Sequence, residues 1–358
     1  MKPVFRWTVG NCTDQGIEIL CESVRSAIEI YENEFKWHIL YNNLTPKQLS
    51  KVAAVAESFG VIMRRQHSRD LPIPQKSMGG PHSSSGKFDC DGSKVGGTLW
   101  KICPGRIVHD THEIVMDNDI VLTGRVPEID KFLGSSKLLI LQDNVKFYGK
   151  FASFVHSDVP LNTGLIGLPP DYYFSDEINE LYYAYREAQS SPDYTNLSQA
   201  DEQGMLASVI SKKDHIVISN EVVVELLGRT AGAKKLDRNY FAAPPLTSNI
   251  SGRGDDDSSV GKHLTSYRRF CESIFSPDRK GYHFCQSNRI ESHFAWELYK
   301  NFQEHGAGIL SSFGNKEAER IAHRGYVEGC LGSRGLAKNW AETYAERRLA
   351  MAKSELDR

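Results

Sequence analysis

The sequence predicts an α/β fold built on parallel strand–helix units. Three observations carry the prediction: short apolar runs alternate with amphipathic helical stretches through the first third of the chain, cap and turn residues stand between them, and further apolar runs recur as far as Leu168. Pro3–Val9 reads as a strand. Gln15–Tyr31 reads as a helix whose apolar residues Ile17, Leu20, Val24, Ala27 and Ile28 fall on one face. Lys36–Tyr41 is a second strand, ending in Asn42-Asn43. Thr45-Pro46 opens another helix, with threonine as cap and proline at the first helical position, and Gly60 ends it. Val61–Arg65 is a third strand. Strand–helix–strand order of this kind implies parallel pairing with right-handed crossovers. Ligands on such sheets bind beyond the carboxyl ends of the strands, which places Thr8, Val9, Asn11 and Asn42 beside any bound nucleotide.

Further along, Thr98–Ile102, Glu113–Met116, Lys137–Leu141 and Thr163–Leu168 are strand candidates, and Asp176–Ala188 and Ala200–Ser211 read as helices. Residues 68–97 and 250–261 are rich in Gly, Ser and Pro or Asp. Stretches of that length without periodicity predict mobile loops, the second of them a candidate lid. From Phe294 onward the pattern is helical, broken at Gly306–Gly308 and Gly332–Gly335. The last stretch places Leu336, Trp340, Tyr344 and Leu349 on one face with mixed charges around them, which suits packing or homo-oligomer formation better than a membrane surface.

Composition narrows the function. With 43 Lys and Arg against 45 Asp and Glu, the formal charge of the 358-residue chain is -2. That balance gives no overall attraction to nucleic acid or to acidic membranes. The seven cysteines (Cys12, Cys21, Cys90, Cys103, Cys271, Cys285 and Cys330) are scattered, odd in number and without a CxxC pair. They predict neither a disulfide framework nor a thiolate zinc site. The N-terminal residues turn polar too soon for a secretory leader. No apolar run reaches the roughly 18 residues of a spanning helix, so a cytoplasmic protein without a transmembrane segment is expected. GGPHSSSGK fails as a phosphate loop because its first glycine is misplaced and Phe88 stands where a metal-binding Ser or Thr belongs. His109 and His112 match no zinc-protease spacing.

The chemistry concentrates in HEIVMDNDIVL, residues 112–122. An apolar strand delivers Asp117 and Asp119 with one residue, Asn118, between them. In an extended chain residues i and i+2 point to the same side, so both carboxylates face one point in space if the chain stays extended there. Two like charges so placed call for a cation. A hard divalent ion, Mn²⁺ or Mg²⁺, takes such oxygen ligands and shares its remaining positions with phosphates.

WKICPGRIVHDTHEIVMDNDIVL resembles the core of the GT-A glycosyltransferases, in which the strand ending in Asp-x-Asp presents the metal. The order of later motifs is similar to the retaining family that includes glycogenin and the bacterial lipooligosaccharide galactosyltransferases. Asn162-Thr163-Gly164 resembles its Asn-x-Gly segment near the transferred sugar. Asp201-Glu202-Gln203 resembles its acidic helix start, and Tyr282-His283-Phe284 with Asn288-Arg289 resembles its late histidine motif. The sequence departs from the family in carrying Gln286 where a glycine is usual, and Arg289 in the region of a lysine.

The resemblance implies a Rossmann-like mixed central sheet flanked by helices, with residues 1–293 as catalytic domain and 294–358 as a helical C-terminal extension. It implies a sugar moved from a nucleotide-diphosphate sugar to a hydroxyl acceptor (glycan, lipid or protein), with retention of configuration. Asp117, Asp119 and His283 would hold the metal. Asp201, Glu202 and Gln203 would handle the sugar and its anomeric face. Asn118, Asn162, Gly164 and Arg289 would contact the donor, and Lys101 and Arg106 would complement phosphate or hold the Asp-x-Asp segment. Two other readings use the same residues: a nucleotidyltransferase acting on a sugar phosphate, which would usually show a basic glycine-rich loop after the first strand where this chain has VGNCTDQG, and a nucleotide-sugar-binding scaffold without turnover.

Overall fold

Seven buried residues, VFRWTVG, make the strand around which the sheet is organised, β1 (Val4–Gly10). Alternation sends Phe5, Trp7 and Val9 to one face and Arg6 and Thr8 to the other. A computed structural model describes residues 1–10, 12–66, 101, 106–143, 146–188, 199–227, 278–285, 296 and 299–300 of the chain. After β1 come α1 (Asp14–Tyr31), β2 (Lys36–Asn42), α2 (Pro46–Phe59), β3 (Ile62–Arg65), β4 (Glu113–Asp117), β5 (Ile120–Leu122), α3 (Pro127–Leu133), β6 (Leu138–Gln142), β7 (Leu161–Leu168), α4 (Ser175–Ala188), α5 (Gln199–Ile210), β8 (His215–Ile218), β9 (Val223–Leu227) and β10 (Gly281–Cys285).

The main sheet runs β3-β2-β1-β4-β7-β6-β8. β3, β2, β1 and β4 are mutually parallel. β7 is antiparallel to both β4 and β6, and β6 is parallel to β8. The chain therefore forms the expected mixed sheet with helices on both faces. One face packs Trp7, Ile39, Ile114 and Leu139 against Leu20 and Val24 of α1, Val52 of α2 and Phe132 of α3. The other packs Val115, Ile140 and Ile166 against Ile178 and Tyr182 of α4 and Leu206 of α5. No helix of the described residues is long and apolar enough to cross a membrane.

Local signals account for the helix limits. Thr13 caps α1 by accepting from the Gly16 amide at 3.0 Å. Thr45 and Gln48 form a reciprocal capping box on α2, with Pro46 in its first turn. Gly60 ends α2 with φ 66, a left-handed conformation that costs a residue with a Cβ. Arg6 and Glu113, both with side chains 0% exposed, must compensate each other, and they pair at 2.5 Å across β1 and β4.

The chain turns out of the main sheet at Asn118-Asp119 instead of staying extended, and β5 enters a second sheet of order β5-β10-β9. Helix α3 and strands β5, β8, β9 and β10 were not anticipated from the sequence; each is short, so its periodicity is weak.

The chain divides into two units, residues 1–225 with 280–283 and 287–291, and residues 226–279 with 284–286 and 292–358. The first holds the main sheet. In the second, Phe284 packs edge-on against Trp296 and Tyr299, with ring centroids 5.3 and 5.5 Å away. The expected loops at 68–97 and 250–261, the proposed boundary at 293, Asn11 and Arg289 lie outside the described residues, as does the C-terminal extension apart from Trp296, Tyr299 and Lys300.

Candidate active site

The order of strands points to a candidate site before any side chain is considered. From β1 the chain moves outward to β2 and β3, then returns to the other side of β1 with β4. The carboxyl ends of β1 and β4 therefore lie side by side at a topological switch point, the place where open α/β sheets bind ligands. Thr8 pairs in register with Asp117 there, and Gly10 with Asn42 one strand over. Antiparallel β7 brings its amino end, Leu161–Gly164, to the same edge, since Leu165 pairs with Met116 and Asn162 with Leu141.

Three side chains converge on this edge. Asp117 follows the alternation of Glu113 and Val115. Asp119 is carried by the turn that follows, and β10 supplies the third, because His283 pairs with Ile120 directly after that turn. The His283 Nε2 atom lies 3.3 Å from Asp119 Oδ1 and 4.0 Å from Asp117 Oδ2. One ligand atom from each of the three lies within 4.8 Å of the others. Close approach of the imidazole depends on Gly164, where an added Cβ would stand 2.7 Å from His283 Cε1 and 3.0 Å from Ile120 Cδ1.

Charge around the three is unbalanced. Lys101, buried, places its ammonium 2.9 Å from Asp117 Oδ2 and 3.6 Å from Glu202 Oε1. The Thr163 carbonyl and hydroxyl oxygens accept from it at 3.3 and 3.4 Å. With its three carboxylates ionised and His283 neutral, as metal binding requires, the group of Asp117, Asp119 and Glu202 against one ammonium carries a formal excess of two negative charges, the charge that a divalent cation cancels. Burial, with Asp119 adding to it, holds Asp117 above the usual carboxylate range although Lys101 opposes the shift. Burial likewise pushes Glu202 up to about 7. Burial disfavours charge on His283, but the Asp119 carboxylate outweighs it and lifts the imidazole above its ordinary value.

A second polar cluster lies beside the first. Asp143 Oδ2 accepts from Asn162 Nδ2 at 3.2 Å and from Gln203 Nε2 at 2.9 Å. The Asn162 side-chain oxygen accepts from the Gly164 amide at 2.7 Å. Asp143 was missed from the sequence, although it directly follows the apolar strand LLILQ, the signal that drew attention to Thr8 and Asn42. Thr163 was quoted only as part of a motif; its contacts with Lys101 emerge from the fold.

The remaining expected residues are placed differently. The Val9 side chain lies in the apolar core, so only its backbone borders the edge. Asn42 donates to the Gln66 carbonyl at 2.7 Å, and its buried Oδ1 has no partner among the described residues. Asn118 is directed to the start of α1, donating to the Gly16 carbonyl at 3.5 Å. Asp201 accepts from the Lys150 amide at 2.7 Å. Arg106 is not brought to this edge. Its guanidinium serves the carbonyls of Val108, Pro169 and Tyr172 near the amino end of β4, roughly 13 Å of extended strand from Asp117.

No family model matches the chain, and no curated protein matches it. Among solved structures, the galactosyltransferase LgtC, in complex with donor and acceptor sugar analogues, is similar over 85% of this chain and 94% of that one, at 13% identity and a TM-score of 0.48. The glycosyltransferase GlyE of Streptococcus pneumoniae TIGR4 is similar over 89% of this chain and 64% of that one, at 10% identity and a TM-score of 0.43. Mouse xyloside xylosyltransferase 1 is similar over 81% of this chain and 99% of that one, at 11% identity and a TM-score of 0.43.

Proposed function

We propose that the protein is a metal-dependent glycosyltransferase that moves a sugar from a nucleoside-diphosphate sugar to an acceptor hydroxyl, with retention of anomeric configuration. The observation that carries the reading is the convergence of Asp117, Asp119 and His283 at the switch point of the sheet, with ligand atoms within 4.8 Å of one another.

The donor set fits a divalent cation: two carboxylates, an imidazole nitrogen facing both, and an excess of negative charge around them. The imidazole favours Mn²⁺ over Mg²⁺, which prefers oxygen ligands. Such an ion supplies Lewis acidity towards the leaving diphosphate. Thr8, the Val9 backbone and Asn42 border the nucleoside side of the switch point. Asn162, Asp143 and Gln203, linked to one another, form the polar wall that holds the sugar. An inverting reaction requires a carboxylate to take the acceptor proton. Asp201 is engaged by the Lys150 amide, and Glu202 by Lys101 and Thr163.

The test is thermal unfolding with Mn²⁺ and a panel of nucleotides, followed by a nucleotide-sugar hydrolysis screen. A nucleoside diphosphate plus Mn²⁺ should stabilise the protein, by about 2.7 kcal/mol at a hundred times the dissociation constant, and Asp119→Ala should lose that stabilisation while keeping its metal-free unfolding transition. A preference for triphosphates would favour a nucleotidyltransferase. No shift with any diphosphate, or equal affinity in the Asp119→Ala protein, would remove the reading.

A further inference from the structure

Lys101 stands in an unusual relation to the candidate metal ligands. Its Nζ lies 2.9 Å from Asp117 Oδ2, the same oxygen that lies 4.0 Å from His283 Nε2. A cation bound by Asp117, Asp119 and His283 therefore shares one carboxylate with a buried ammonium. Like charges at that range repel strongly where water is excluded. The ammonium has a second anionic partner, Glu202 Oε1 at 3.6 Å, and Thr163 offers it two neutral oxygens at 3.3 and 3.4 Å. Glu202 is itself tied to this arrangement by the Thr163 hydroxyl at 3.4 Å.

We infer that Lys101 is a built-in competitor for the metal ion and that Glu202 sets metal affinity by drawing the ammonium away from Asp117. The inference rests on the metal-site reading given under the proposed function. Lys101 makes the ion exchangeable by taxing Asp117. Glu202 limits that effect by carrying part of the ammonium's charge. Lys101 and Glu202 are positioning residues in this scheme: each acts on the ion through Asp117.

Two substitutions have opposite expected signs. Lys101→Met removes the competing charge and should tighten Mn²⁺ binding about tenfold or more, whereas Glu202→Gln leaves the ammonium wholly on Asp117 and should weaken it about tenfold. A purely structural role for the pair predicts weaker binding in both. Mn²⁺ affinity is measured on the full chain by titration calorimetry and by the electron paramagnetic resonance signal of free Mn²⁺, without nucleotide, alongside the parent protein and Asp119→Ala. Binding by the parent, loss in Asp119→Ala and opposite shifts in the two variants support the inference. Unchanged or weaker binding by a folded Lys101→Met protein overturns it and leaves the metal site standing. If Lys101→Met lacks a cooperative unfolding transition, Glu202→Gln decides alone, and unchanged or tighter binding there is the overturning result. Absence of Mn²⁺ binding by the parent itself overturns both the inference and the metal site.

Discussion

Gly164→Ala is the most direct probe of how the fold builds the site. The new Cβ would stand 2.7 Å from His283 Cε1, 2.9 Å from Asn162 Oδ1 and 3.0 Å from Ile120 Cδ1. Carbon atoms prefer separations of about 3.5–4.0 Å, so the imidazole must retreat by about 0.8 Å. Its Nε2 begins 3.3 Å from Asp119 Oδ1. Metal–ligand distances tolerate about 0.2 Å, so on the proposed metal site a retreat of this size would cost His283 as a ligand. Disturbing a ligand's support typically costs about 10- to 100-fold in metal affinity, and loss of the ligand itself should reach at least the upper end. The assay is Mn²⁺ titration of the variant and the parent, with chemical denaturation of both without metal. The clash falls on one ring and two side-chain ends, so the metal-free transition should survive while Mn²⁺ affinity collapses. Parental affinity in a normally folded Gly164→Ala protein would refute the claim that this glycine makes room for a metal-binding histidine.

Three further outcomes follow from the scaffold. Gly60 has φ 66, and a Cβ added there would meet no atom within 4 Å, so Gly60→Ala should cost only the backbone term, about 1–2 kcal/mol by denaturant titration; a loss near zero would contradict the left-handed cap. Glu113→Ala strands the fully buried Arg6 guanidinium and should cost about 3–5 kcal/mol by the same measurement; a loss under about 1 kcal/mol would mean the pair is dispensable. Burial, reinforced by Arg64, Lys36 and Arg6, pushes the His38 imidazole down to about 4. The unfolded chain therefore binds this proton first as pH falls from the ordinary value near 6.5, and stability present above that value is lost towards pH 4, by up to about 3 kcal/mol. His38→Leu should flatten that part of the stability–pH curve, and an unchanged slope would show that another group is responsible.

Much of the scaffold was legible in local signals. Thr45, Pro46 and Gly60 mark the ends of α2 because capping and left-handed φ depend on the residues themselves. The apolar runs of β1, β2 and β4 mark strands because burial on both faces selects continuous hydrophobicity. Asp117 and Asp119 stood out because charge at the exit of such a run is costly without a purpose. Arg106 was expected to complement phosphate or hold the Asp-x-Asp segment; a guanidinium ahead of a strand also suits backbone carbonyls, and the position of Pro169 and Tyr172 decides for them. Asp143 shows the converse, since its place after an apolar strand marks it for the ligand edge, but its role takes shape only when Asn162 and Gln203 are seen to donate to it.

Taken alone, the amino-acid order determined the longer strands and helices, and that two acidic residues leave the Glu113–Met116 strand together. Tertiary structure decided which charges meet. The turn at Asn118-Asp119, the antiparallel return of β7 and the pairing of His283 with Ile120 bring Thr163, Glu202, Lys101 and His283 around Asp117. These partners are distant in sequence, and their register comes from packing across the sheet. Local periodicity reports which face a residue takes, but it carries no information about what will be waiting there.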